Sequence, residues 1–256
     1  PDVIYAGTQP SALFRSTDRG ESFSLIRSLW DHPHREEWGE GYGGQAIHSV
    51  RPDPSDPAHV TVAMSAGGVY RSYDGGETWN PANAGIRVDF TPDSSPPEFG
   101  QCVHKIAAHP DAPTRIFAQN HGGVYRSDNG GDQWISIADG LPADFGFPIV
   151  VHPRKPETVF VFPLVDGAER FPPQGKARVW RSDEAGESWT PSESGLPDRF
   201  YAAVLRDAMT ADNAEDMGLY IGARDGSVFL STDDGANWRQ IVAHLPDVLS
   251  VRAAVV

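Results

Sequence analysis

The chain is poor in cysteine, methionine and positive charge. Its 256 residues include one cysteine, Cys102, three methionines, and 21 Lys and Arg residues against 35 Asp and Glu. A single cysteine excludes an internal disulfide, so packing alone must hold the fold. It also fits a reducing compartment, and a cytoplasmic location is the expectation. A formal net charge of −14 repels phosphate backbones and argues against a nucleic-acid partner. No apolar run reaches the length of a membrane-spanning helix, so no membrane partner is expected. The chain opens on Pro1-Asp2-Val3, with neither an initiator methionine nor a charged-then-apolar leader. What it does have is 39% apolar and 10% aromatic residues, enough for a large packed core.

One short pattern occurs five times: Ser16-Thr-Asp18-Arg-Gly20-Glu-Ser-Phe23, Ser72-Tyr-Asp74-Gly-Gly76-Glu-Thr-Trp79, Ser127-Asp-Asn129-Gly-Gly131-Asp-Gln-Trp134, Ser182-Asp-Glu184-Ala-Gly186-Glu-Ser-Trp189 and Ser231-Thr-Asp233-Asp-Gly235-Ala-Asn-Trp238. The copies start 56, 55, 55 and 49 residues apart. A fixed period of this length marks a repeat architecture in which units bury their faces against neighbours. Each box reads as a turn: the Asp or Asn bonds backbone N–H groups and the glycine takes a positive φ. The closing Trp or Phe is expected to point back into its own unit.

Strands flank every box. Before it stand Leu13-Phe14-Arg15, Val69-Tyr70-Arg71, Val124-Tyr125-Arg126, Val179-Trp180-Arg181 and Val228-Phe229-Leu230. Further upstream come Val3–Ala6, Val60–Ala63, Arg115–Ala118, Thr158–Val161 and Leu219–Gly222. An innermost set is expected at Ile47–Val50, Val103–Ile106, Phe147–Val150, Ala202–Leu205 and Leu249–Arg252. Four short antiparallel strands per unit, with a turn glycine and an aromatic, describe a β-propeller blade. The fold class is therefore all-β: one propeller domain over 1–256 with five blades, near 1–28, 46–85, 102–140, 145–195 and 200–244. Segment 248–256 either completes the first blade or closes a larger ring of six or seven blades.

The boxes, most closely Ser72–Trp79 and Ser231–Trp238, resemble the Asp-box, or bacterial neuraminidase repeat. The chain is similar to soluble bacterial Asp-box proteins described as exo-α-sialidase-like or glycosyl-hydrolase-like; Ser28-Leu-Trp-Asp-His32, Ile47-His48-Ser49 and Phe145-Gly146-Phe147 resemble that group in particular. Members usually carry more sequence before the equivalent of Pro1, so the chain is expected to be the C-terminal part of a larger ring. The resemblance implies a glycan or similar polar ligand, bound or hydrolysed at the channel mouth. Sialidase chemistry needs three arginines forked onto a carboxylate, a Tyr–Glu nucleophile and an Asp acid/base. The Arg-Ile-Pro signature is absent, and the candidates are Arg51, Arg206, Arg252 and Tyr201. The boxes themselves are structural turns, since five copies around a ring cannot converge on one substrate.

His48 and His104 occupy matching inner-strand positions, six residues before Pro54 and Pro110. With His32, His34 and His121 they are expected near the channel mouth. His32, His48, His104 and His121 are metal-ligand candidates, but their spacing matches no tight motif, and hydrogen-bonded interface histidines with no metal are the preferred reading. No cofactor is expected. Three insertions, Ser28–Gln45, Ile86–Gln101 and Pro163–Ala177, lie on one expected face. They bring Trp30, Arg35 and Trp38, then Asp89, Phe90 and Glu98, then Glu169, Arg170 and Phe171. Aromatics beside charges suit a sugar ring, and a binding role for this face is the favoured reading, with a packed lid as the alternative. The ligand-binding candidates are His48, His104, Trp30, Arg35, Trp38, His121 and Tyr201. Two other functions remain open: a non-catalytic scaffold docking a protein partner, and a metal-dependent enzyme using the histidines.

Overall fold

A computed structural model describes residues 2–41, 43–88 and 97–255; Asp89, Phe90 and Val256 lie outside the described residues. Its strands form one three-stranded and four four-stranded antiparallel sheets, each built from strands consecutive in sequence. The first sheet is β1 (Ile4–Gly7), β2 (Leu13–Ser16) and β3 (Ser24–Leu25). The second is β4 (Ile47–Pro52), β5 (Val60–Met64), β6 (Gly68–Ser72) and β7 (Asn80–Pro81). The third is β8 (Val103–His109), β9 (Ala112–Asn120), β10 (Val124–Ser127) and β11 (Ile135–Ser136). The fourth is β12 (Phe145–His152), β13 (Lys155–Leu164), β14 (Val179–Ser182) and β15 (Thr190–Ser192). The fifth is β16 (Met209–Ala211), β17 (Leu219–Gly222), β18 (Val228–Ser231) and β19 (Arg239–Val242).

Burial follows from stacking these sheets face to face. Middle strands are covered on both faces, so β5 and β6 are buried throughout, while β11 and β19 at the outer edge are exposed throughout. Four hydrophobic clusters fill the four interfaces between consecutive sheets. The inner strands β4, β8, β12 and β16 contact one another in chain order. Lys105 of β8 reaches past the fourth sheet to Arg206 O (2.8 Å) and Asp207 Oδ1 (2.9 Å), just ahead of β16. That contact requires the sheets to fan about a hub instead of stacking along a line.

Two inner-strand expectations are corrected. Ala202–Val204 is buried and Leu205 partly so, but the segment is not a strand, and β16 forms later, at Met209–Ala211. A turn bond from Ala208 N to Leu205 O and a cross-bond from Arg224 N to Ala203 O (both 3.0 Å) hold the earlier segment in irregular form. Leu249–Arg252 makes only a parallel bridge, Asp207 to Ser250, and Val248 N bonds Ala223 O (3.2 Å). The described part of 248–256 thus lies against the fifth sheet, not beside β1.

The boxes explain the stacking. Their glycines have φ between 87° and 98°, and the residue before each, including Arg19, Ala185 and Asp234, is also left-handed. In the second box Asp74 accepts from Ser72 Oγ (2.7 Å), Glu77 N (3.0 Å) and Thr78 N (2.9 Å), and Gly76 N donates to Ser72 Oγ (2.7 Å). Asn129 repeats this with its amide oxygen, accepting from Ser127 Oγ (2.8 Å) and Gln133 N (3.0 Å). The carbonyl of the left-handed residue before the box glycine then faces the previous blade. Arg15, Arg71, Arg126 and Arg181 donate through Nη1 to Gly75, Gly130, Ala185 and Asp234 O at 2.7–2.9 Å.

The box tryptophans close the same interfaces from the other side. Trp79 donates to Ser28 Oγ (3.2 Å), Trp134 to Ala82 O (2.8 Å), Trp189 to Ile137 O (2.7 Å) and Trp238 to Ser192 Oγ (2.8 Å). Each indole therefore points at the preceding blade, not into its own unit. Phe23, which has no indole N–H and no preceding blade among the described residues, is 45% exposed. Trp134→Phe is expected to lower unfolding stability by at least about 2 kcal/mol in a denaturant titration, through the orphaned Ala82 carbonyl and a small cavity. Phe23→Ala is expected to change it by less than about 0.5 kcal/mol.

Candidate functional site

The inner strands are irregular at matching points near the hub. Register shifts fall between Ile47 and Ser49 in β4, between Val103 and Lys105 in β8, and between Gly146 and Ile149 in β12. Each flanks a ring: His48, His104 and Phe147. Bulges turn side chains out of the regular alternation, and here they aim at the hub. His104 is 3% exposed, stacks on Phe147 (4.8 Å, 30°) and holds Gly146 O with Nδ1 at 2.6 Å. His121, in the β9–β10 turn, meets it edge-on at 5.5 Å. His48 Nε2 bonds Ser65 Oγ at 2.5 Å. Arg206 lies over Phe147 (5.0 Å), and its buried Nε has no hydrogen-bond partner among the described residues.

The expected gathering of five histidines splits in two. His32 and His34 belong to a separate aromatic cluster over the second blade. His32 stacks on Trp38 (6.1 Å, 14°), His34 stacks on Phe99 (4.1 Å, 19°), and Tyr70 OH bonds both His34 Nδ1 and Trp38 Nε1 at 2.9 Å. Trp38 is 5% exposed, so its faces are already taken. Arg35 lies over Trp30 at 3.7 Å and donates to Ser11 O at 2.5 Å. The first insertion, with α1 (Arg27–Trp30) and a 3-10 turn (Pro33–Glu37), is a packed lid. Trp30, Arg35 and Trp38 serve that packing.

The three arginines do not converge. Arg51 Nη2 donates to Pro113 O (2.8 Å) near the start of β9. Arg252 pairs with Asp207 (3.2 Å), while Arg206 remains by Phe147. Among the described residues no carboxylate clamp forms. Tyr201 is a different matter. It is 70% exposed, with Phe171 edge-on at 5.6 Å, and it borders an open cleft of about 570 Å³. Glu169 and Arg170 of the third insertion, Arg224 and Asp225 of the β17–β18 turn, and Asp247 line the same cleft. Arg224 Nη2 pairs with Asp247 at 2.7 Å, and Asp225 accepts from Ser227 N at 3.0 Å. Sequence reasoning missed Arg224 and Asp225. They stand where His121 stands two blades earlier, in a second-to-third strand turn.

Electrostatics separate rim from hub. Asp18 and Asp74 are held below the usual carboxylate range chiefly by hydroxyl donors, Ser16 and Thr78 respectively. At the hub, burial first and then Arg206 push His48 down to about 3, and His104 falls well below its ordinary value for the same two reasons. A depressed histidine binds its proton less readily when folded. Its contribution is complete above about pH 6.5 and is lost as pH falls toward 3. Between about pH 6.5 and 4.5, above the carboxylate range, His48→Gln is expected to flatten the fall in unfolding stability by up to about 1.4 kcal/mol per pH unit. Denaturant titrations across that range check it.

The BNR/Asp-box repeat pattern matches residues 70–81. Similar curated proteins include the xyloglucanase Xgh74A of Acetivibrio thermocellus, 25% identical over 254 residues, which cover 90% of this chain and 28% of that enzyme. An oligoxyloglucan-reducing end-specific xyloglucanase of Emericella nidulans is 27% identical over 231 residues, covering 76% of this chain and 27% of that one. The chain spans less than a third of the length of these relatives. Among solved structures, the Niastella koreensis GH74 enzyme superposes with a TM-score of 0.61 at 17% identity, covering 93% of this chain and 36% of that one. An ancestral GH74 enzyme gives 0.58 at 23% identity, covering 80% and 25%. At those identities the structural likeness shows the fold. Repeat and blades together make this a β-propeller carrying Asp-box (BNR) repeats, with a fold like that of the GH74 structures.

Proposed function

We propose that this propeller binds a neutral glucan of the xyloglucan type along the cleft beside Tyr201. The observation that carries the reading is the exposed Tyr201 ring on the wall of an open, polar cleft. A sugar ring stacks its C–H face on such an aromatic and turns its hydroxyls to neighbouring acceptors and donors. Glu169, Asp225 and Asp247 are the acceptors, and Arg170 and Arg224 are the cations among them. The relatives' names point to the same substrate class.

Charge selects a neutral glycan over an acidic one. Arg51, Arg206 and Arg252 do not form the three-arginine clamp that a sialic acid carboxylate requires. Three carboxyl groups line the cleft against two arginines, and the chain's net charge of −14 adds to the repulsion of an anion. Hydrolysis would need a carboxyl pair flanking the scissile bond. Asp247 is committed to Arg224 and Asp225 to Ser227, an arrangement better suited to fixing sugar hydroxyls than to exchanging protons.

Affinity electrophoresis in gels containing xyloglucan tests the proposal. The chain is expected to be retarded, and Tyr201→Ala to bind about tenfold more weakly, a loss of about 1.4 kcal/mol. Polysialic acid in the gel is expected to cause no retardation. Unretarded wild-type protein, or equal retardation of Tyr201→Ala, would contradict the reading.

A further inference from the structure

One group of side chains near the cleft lies outside the contacts used in the proposed glycan site. Cys102, His104 and His121 hold their ligand atoms, one sulfur and two ring nitrogens, within 4.8 Å of one another. Local structure explains the grouping. Cys102 stands just before β8 and His104 at the bulge near its start, two residues apart in sequence. His121 is brought over by its backbone, whose N–H donates to Cys102 O at 2.8 Å. Cys102 and His104 are buried, and His121 is half-buried.

The donor set is chemically prepared. A carbonyl only accepts, so the contact with Gly146 O (2.6 Å) places the His104 proton on Nδ1 and leaves Nε2 with a lone pair. Metal-bound imidazoles are oriented by this same kind of outer hydrogen bond. One thiolate with two imidazoles is a donor set for zinc, cobalt or copper, and a poor one for magnesium or calcium.

We propose that Cys102, His104 and His121 bind one transition-metal ion of the zinc class. Zinc bonds of about 2.0–2.3 Å require the donors to draw together by about 1 Å. His121, half-buried on a turn, supplies that movement. The Cys102 thiol proton passes to solvent as the thiolate coordinates. The bound ion would tie the start of β8 to the β9–β10 turn. That turn backs the third insertion, since a Cβ on Gly167 of the cleft would lie 2.9 Å from His121 Cε1.

Cobalt(II) titration of the purified chain reads the site directly. Because Cys102 is the only cysteine, a thiolate-to-cobalt charge-transfer band identifies it without any variant. The wild type is expected to show that band with visible d–d bands, saturating at one equivalent and bleaching when zinc is added. His121→Gln is expected to bind at least about tenfold more weakly. No charge-transfer band in excess cobalt overturns the proposal, as does a folded His121→Gln protein with unchanged affinity.

Discussion

The architecture depends on a charged hydrogen bond between blades. An arginine at the end of each third strand donates to one carbonyl in the next blade's box, and that carbonyl is available because its residue is left-handed. Such bonds are worth about 1.5–3 kcal/mol when kept from water. The indole of the following box returns a second bond across the same interface. The box aspartate shapes the turn, the turn presents the carbonyl, and the arginine reads it. The series ends at the fifth blade, where Leu230 replaces the arginine.

This division of labour leaves the other face free for binding. The box carboxylates spend their lone pairs inside their own turns, so they have no role at the hub. The opposite ends of the strands carry the bulges at His48, His104 and Phe147 and the connections that form the cleft. Phe147 joins the two regions, with His104 stacked on it and Arg206 and Arg170 near its ring at 5.0 and 5.6 Å.

Most of the fold was legible in the sequence because its signals are local. Strand alternation, the box glycine and the repeat period needed no knowledge of neighbours. Segments whose partners lie in other blades were read less well. Ala202-Ala-Val-Leu205 has the apolar content of a strand, and most of it is buried, but Arg224 and the turn at Ala208 draw its hydrogen bonds away from a ladder. The box tryptophans looked inward because the sequence does not state which neighbour is adjacent. Trp30, Arg35 and Trp38 had the composition of a sugar site, and composition cannot distinguish an exposed ring from one already covered. The cleft was partly legible: Tyr201 and Glu169 to Phe171 were picked out, and placing the second-to-third strand turns on one face also leads to Arg224 and Asp225. The Cys102-x-His104 pair passed unnoticed beside the histidine repeat.

The division between structural rim and binding hub is tested most directly by hydrogen exchange with and without a saturating xyloglucan oligosaccharide. The account predicts slowed exchange in peptides spanning 165–171, 200–206 and 223–227, and no change in the box peptides around Gly76, Gly131 and Gly235. Protection at the boxes with none in those three segments would contradict it.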